Sequence, residues 1–269
     1  MELNFYASLF RDFTTYSQKK MHCLCEKIKK IYFLVKTILE TFLAEMRSLA
    51  EIIYQLPIKP QQANPADPDL SNPYAPVLLI HGFLHNSSAW NHLILYLQSK
   101  GHKNIYTIDL YNTLKSIETH SEKVAEMAKD IFQKTGKKSI LIGHSMGGIT
   151  ALDAATKNQS YIHGVITISS PLSGTSLSKG NFVPSMEQMK IDSIYLDHLH
   201  KRIQKAKELD IRIIGNTGDM IVRPNQSTHE GIRHTKKIIL ENTGHLNILL
   251  AKKMHETVAD WLREMSNQT

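Results

Sequence analysis

A serine, an aspartate and a histidine stand in this chain where they could form an activated nucleophile. Ser145 lies in Gly143-His144-Ser145-Met146-Gly147, directly after the apolar run Ser139-Ile140-Leu141-Ile142 and ahead of a helical pattern. A strand that enters Gly-x-Ser-x-Gly and leaves as a helix makes a sharp turn. That turn holds the serine in a strained backbone conformation and lifts its hydroxyl above the end of a sheet. Gly143 and Gly147 are expected to be glycine because side chains there would collide across the turn. Serine is a weak nucleophile at neutral pH, so it needs a base within hydrogen-bond reach. The short motif by itself also fits an ordinary strand-to-helix turn with an exposed serine, and its partners must decide between the two.

The partners have to be positioned by the surrounding elements. Strands are predicted over Val77–His81, Asn104–Leu110, Ser139–Gly143, Ile162–Ser169, Ile211–Asn216 and Lys236–Glu241. They are short apolar runs without strict alternation, as expected when both faces of a sheet are covered. Helical patterns fall at about 88–100, 118–135, 147–158 and 247–265. This rhythm predicts an α/β fold built on a doubly wound, mostly parallel sheet. Ligands of such sheets bind beyond the carboxyl ends of the strands. Three polar loops follow strands there: His81-Gly82-Phe83, Gly215-Asn216-Thr217-Gly218-Asp219 and Asn242-Thr243-Gly244-His245. His245 would take the serine proton and return it to the leaving group, while Asp219 would fix the imidazole tautomer. The backbone N–H groups of Phe83 and Met146 are the candidate oxyanion donors. The order Ser145, Asp219, His245 is that of a serine hydrolase on such a sheet. Asp109 also ends a strand and is the rival acid, but it precedes the serine. His81 and His144 flank the site and read as structural or surface histidines, His81 acting more through its backbone than its ring. Asp192 and Asp197 are expected to be solvated.

The 269 residues, 42% of them hydrophobic, suit one α/β domain with an appendage. Residues 1–56 read as an N-terminal helical extension. From residue 17 on, its apolar residues are spaced alternately four and three apart, missing only where Glu45 takes a seam position. Six lysines and one acid, Glu26, lie between Lys19 and Lys36. The stripe must be covered by the catalytic domain, by a second copy in a homo-oligomer, or by a peripheral membrane contact. Residues 57–75 form a proline-rich linker, and residues 76–269 the catalytic domain. Within the latter, 172–207 is a lid-like insertion with an amphipathic helical stretch at about 186–207. The net charge of +7 favours anionic surfaces, yet the lysines are scattered and no nucleic-acid partner is expected. Cys23 and Cys25 are too closely spaced for a redox or zinc motif, so neither metal nor cofactor is expected. The first twenty residues lack an apolar core and a cleavage site, and no span of transmembrane length occurs. A cytoplasmic or peripheral membrane location is expected, with export by another route left open.

Residues 76–262 resemble the small bacterial triacylglycerol lipases, the minimal α/β-hydrolases. The resemblance rests on Pro76-Val-Leu-Leu-Ile-His-Gly-Phe83, Gly143-His-Ser-Met-Gly-Gly148, Asp219-Met-Ile-Val222 and Gly244-His245. It implies the α/β-hydrolase fold, a nucleophile at Ser145, an acid at Asp219, a base at His245 and oxyanion donors at Phe83 and Met146. Ser170-Pro171-Leu172-Ser173-Gly174-Thr175 is similar to the segment bordering the acyl cleft in larger bacterial lipases, which makes Leu172, together with Leu84, a candidate cleft residue. Lipases of the small type are secreted and lack both a substantial lid and a helical front piece, so the resemblance speaks for the reaction class more than the substrate. The expected activity is hydrolysis of carboxylic esters, lipid or other acyl esters, through an acyl-serine intermediate. Acyltransferase, haloperoxidase or thioesterase chemistry on the same triad, and a non-catalytic membrane- or partner-binding role, are the alternatives.

Overall fold

The computed structural model describes residues 26–33, 35–36, 39–40, 43–51, 60, 63–176, 183–229, 232 and 236–267. The chain divides into two units, residues 1–43 and 44–269. In the first, the described residues up to 40 are helical, as the spacing predicts, and Ile28, Ile31, Val35 and Leu39 are exposed along them. Cys23 and Cys25 lie outside the described residues. The second unit opens with a helix, α1 (residues 44–51).

The sheet of the second unit has six parallel strands in the order β2-β1-β3-β4-β5-β6. They are β1 (Val77–Ile80), β2 (Ile105–Ile108), β3 (Ser139–His144), β4 (Ile162–Ile168), β5 (Asp210–Asn216) and β6 (Lys236–Leu240), each inside or within a residue of its predicted run. Every residue of β1 and β3 is buried, which is why these runs show no polar alternation. The two faces still divide by parity. Leu78, Ile80 and Leu141 pack under α3 (Ile117–Thr135) and α4 (Met146–Lys157). Val77, Leu79, Ile140 and Ile142 pack under α2 (Asn91–Ser99) and α8 (Lys252–Ser266), the helix that follows the short α7 (Pro224–Ser227) in the chain.

The described part of the stretch read as a linker, residues 60 and 63–75, holds no helix or strand, and from Asn64 onward it is strapped to the body. Asn64 N–H donates to the Ile105 carbonyl at 2.9 Å, and the Asn64 side chain accepts from Thr107 N–H at 2.9 Å. Further along, the Asn104 side chain clasps the Asp69 backbone, accepting its N–H at 2.9 Å and donating to its carbonyl at 2.8 Å, and Asn72 is buried and donates to the Gly101 carbonyl. This strap occupies the free edge of β2, which would otherwise expose unpaired backbone groups.

The insertion also departs from expectation. The helix predicted over about 186–207 is two helices, α5 (Pro184–Gln188) and α6 (Ile194–Lys205), parted where Asp192 adopts a φ of 60° and Ser193 caps α6. The helix predicted over 247–265 is likewise broken: a 3-10 turn, Asn247–Leu250, precedes α8, and Ala251 between them is extended. Leu196, Leu199 and Ile203 of α6 enter the main core. Asp153 of α4, fully buried, receives Ser121 of α3, Lys157 of its own helix and Arg202 of α6. Gln188 at the end of α5 accepts the Ile117 N–H at 2.6 Å. Residues 184–205 therefore pack as a layer over α3 and α4. The segment 177–182 lies outside the described residues. Asp192 and Asp197 are exposed, as expected. Removing Arg202 strands a buried carboxylate with one cation, so Arg202→Met should lower stability by about 3 kcal/mol, measured by urea unfolding.

Candidate active site

The turn between β3 and α4 places Ser145 at φ 54° and ψ −124°, a conformation that non-glycine residues rarely adopt. Two backbone bonds hold it: Ser145 N–H to the Ile168 carbonyl at 2.9 Å, and Gly148 N–H to the Ser145 carbonyl at 3.1 Å. A Cβ on Gly143 would lie 2.3 Å from the Gly147 backbone, the collision expected across the turn. A Cβ on Gly147 would instead lie 2.2 Å from the Ile80 carbonyl, so this glycine serves the approach of α4 to β1.

The half-buried Ser145 meets two buried residues from the loops after β5 and β6. Its hydroxyl donates to His245 Nε2 at 3.0 Å, and His245 Nδ1 donates to Asp219 Oδ2 at 2.8 Å. A carboxylate only accepts, which fixes the proton on Nδ1 and leaves Nε2 as the acceptor. The other Asp219 oxygen accepts the N–H groups of Ile221 and Val222 at 2.8 and 2.7 Å, so the carboxylate cannot swing away from the ring. Such a row can draw the serine proton onto the imidazole and stabilise the cation formed. Asp109, the rival acid, is elsewhere: it accepts Ser87 N–H at 2.7 Å and braces the loop after β1.

Phe83 and Met146 lie where the loop after β1 and the start of α4 adjoin the serine. Among the described residues neither N–H has an acceptor, as a pair of donors for an oxyanion would require. Leu84 is exposed and lines a cavity of about 450 Å³ with His81, Leu110, Tyr111 and Leu114. Leu172, expected beside it in the cleft, packs instead inside the core, 1% exposed, with its carbonyl accepting from His200. The Pro171–Gly174 turn points its apolar side chain inward, under the α6 layer.

Both flanking histidines do more through their rings than the sequence suggests. His81 is buried, and burial pushes its pKa down to about 4. Its Nε2 accepts Leu110 N–H at 2.8 Å, so its Nδ1 carries the proton and donates to the Gly82 carbonyl at 2.8 Å. The ring thus ties the loop after β1 to that after β2. His144 is fully enclosed, and burial drives its pKa well below the usual range. Its Nε2 donates to the His245 carbonyl at 2.9 Å. Asn216, at the end of β5, donates to the Gly244 carbonyl at 2.6 Å. These residues flank the motifs, and that adjacency is the signal that could have found them. Among the described residues no group of three or more His, Cys, Asp or Glu side chains could hold a metal ion. No described helix is long and apolar enough to cross a membrane.

A family model described as alpha/beta hydrolase fold matches residues 75–190. The chain has the α/β-hydrolase fold. Solved structures agree. The mature form of Bacillus licheniformis lipase BlEst2 superposes with a TM-score of 0.60 at 17% identity, covering 76% of this chain and 94% of that one. Aspergillus fumigatus lipase B gives a TM-score of 0.63 at 16% identity, over 74% of this chain and 55% of that one. Among sequences, the pimeloyl-[acyl-carrier protein] methyl ester esterase of Yersinia enterocolitica is 24% identical over 194 residues, 68% of this chain and 69% of that protein. The lysosomal thioesterase PPT2-B of Xenopus laevis is 34% identical over 113 residues, 39% of each. In this α/β-hydrolase fold the turn at Ser145 depends on backbone packed where a side chain would sit. Gly143→Ala should therefore cost about 3 kcal/mol of stability, read by thermal unfolding, because backbone on both sides must move.

Proposed function

We propose that the chain is a serine hydrolase that cleaves carboxylic acyl esters through an acyl-serine intermediate. The observation that carries this reading is the hydrogen-bonded row Ser145–His245–Asp219, at 3.0 and 2.8 Å. Ser145 Oγ attacks the acyl carbonyl as His245 Nε2 takes its proton. The tetrahedral oxyanion lies against the N–H groups of Phe83 and Met146. Asp219 steadies the imidazolium, which then protonates the departing alcohol oxygen. Water repeats the sequence on the acyl-serine, with His245 again the base, and releases the acid. The partly apolar cavity beside Leu84 supports an acyl group as the substrate's main handle, lipid esters included. That an esterase of acyl-carrier-protein methyl esters and two lipases are among the chain's likenesses is consistent with it.

A second reading, a thioesterase, is favoured by the higher local identity to a protein named as one. The same row serves both, since only the leaving atom differs. The experiment is a matched panel of p-nitrophenyl esters and acyl thioesters of increasing chain length, run beside fluorophosphonate labelling. Wild-type protein should label and turn over at least one series, and Ser145→Ala should lose labelling and at least about 10³-fold in kcat. Turnover surviving in Ser145→Ala would remove the proposal.

A further inference from the structure

The loop that carries His245 is held by side chains on both of its flanks. Gly244 N–H donates to Asn247 Oδ1 at 2.7 Å, and the Gly244 carbonyl accepts from Asn216. The His245 carbonyl accepts from His144. The next two N–H groups turn to a residue far away in sequence. Leu246 N–H donates to both carboxylate oxygens of Glu45, at 3.1 and 3.0 Å, and Asn247 N–H reaches the same carboxylate at 3.4 Å. The fit is close: a Cβ on Gly244 would lie 1.8 Å from Glu45 Oε1. The carboxylate thus occupies the space that a side chain at 244 would take.

Resting on the hydrolase reading above, we propose that Glu45, on α1, is a positioning residue for His245. It anchors the two peptide groups that follow the base, and its charge faces the imidazolium formed during turnover. Three observations converge on it. The carboxylate accepts N–H groups with both oxygens, which a neutral amide cannot do. Glu45 is also the residue that interrupts the apolar seam of the N-terminal helical pattern, where an apolar side chain would have been expected. Finally, burial outweighs its backbone bonds and raises its pKa. A carboxyl with a raised folded pKa contributes most to stability at acid pH and loses that contribution as pH rises through the folded value. The ionised Glu45 therefore adds less to stability than its protonated form would. The titratable groups facing His245 are Asp219 from the loop after β5, His144 from β3 and Glu45 from α1. With His144 held neutral by burial, Asp219 and Glu45 are the charges among them.

The test uses the full chain with Glu45→Gln and Glu45→Asp, with wild type and Ser145→Ala alongside. For Glu45→Gln, kcat should fall about tenfold to a hundredfold with KM little changed, since the base is misplaced rather than the substrate. The acid limb of the pH–rate profile should move to lower pH, because the imidazolium loses a neighbouring negative charge. The Tm at neutral pH should equal or exceed that of wild type. Glu45→Asp keeps the charge and should restore the acid limb while recovering only part of the rate. An unchanged kcat and acid limb in Glu45→Gln would overturn the proposal. So would a loss of rate that tracks a fall in Tm or a failure to fold, because a structural anchor explains that alone. Absence of wild-type turnover on every ester and thioester would defeat the hydrolase reading instead. The placement of Glu45 is then read from the His245 ring protons by NMR, whose titration should move to lower pH in Glu45→Gln and would stay put if the proposal is wrong.

Discussion

The site depends on one close approach, that of α4 to the ends of β1 and β3 at Gly143 and Gly147. Backbone lies against backbone there at distances that exclude even a methyl group. The approach forces Ser145 into its strained conformation, a cost on the order of 1–3 kcal/mol that the fully buried β3 and α4 must offset. It also sets the donors. The first N–H of α4 belongs to Met146, and the chain leaving β1 passes so near the serine that a Cβ on Gly82 would lie 3.1 Å from Ser145 Cβ. One junction therefore places the hydroxyl and both candidate donors together, without a separate device for each.

Histidines do the remaining positioning, and burial is what suits them to it. An exposed imidazole changes charge near neutrality and with it its hydrogen-bonding pattern. His81 and His144 are kept neutral by desolvation, so each presents a fixed donor and can act as a rigid spacer. His81 spaces the loop after β1 from that after β2, and His144 spaces β3 from the loop after β6. His245 differs in having a carboxylate on one nitrogen and a hydroxyl on the other. Three histidines within one cluster thus take different parts according to their partners.

What could be read from the sequence was what is encoded locally. The strands were legible because a doubly covered parallel strand is a bare apolar run, and the turn at Ser145 because its glycines lie within five residues of chain. Asp219 and His245 were legible because each follows its strand within a few residues. What escaped was long-range or set by a single backbone reversal. The split of the insertion turns on Asp192 entering a positive φ, which its residue type permits but does not require. The strap at 63–75 reads as linker because prolines exclude helix, yet Asn64 bonds Thr107 of β2, 43 residues on, and Asn72 bonds the Gly101 carbonyl, 29 residues on. Leu172 was placed at the cleft by likeness, whereas the local turn directs it into the core. The ring bonds of His81 and His144 needed a third dimension that spacing does not carry.

The burial of Leu172 moves the question of substrate fit to the loops after β1 and β2. With Asp153 tying α3, α4 and α6 together, the layer over Leu172 is part of the core. The cavity beside Leu84 is walled by the loops after β1 and β2, whose apolar members Leu84, Tyr111 and Leu114 are exposed. His81 bonds both of those loops, holding Gly82 next to the Phe83 donor and Leu110 next to the cavity wall. A group that presses on that wall therefore acts, through one neutral imidazole, on the loop bearing Phe83, a candidate oxyanion donor. On the proposed acyl-ester chemistry, the fit of an acyl chain in that cavity and the placing of the candidate donor Phe83 would be linked through His81. Selectivity among chain lengths should accordingly appear in kcat as well as in KM.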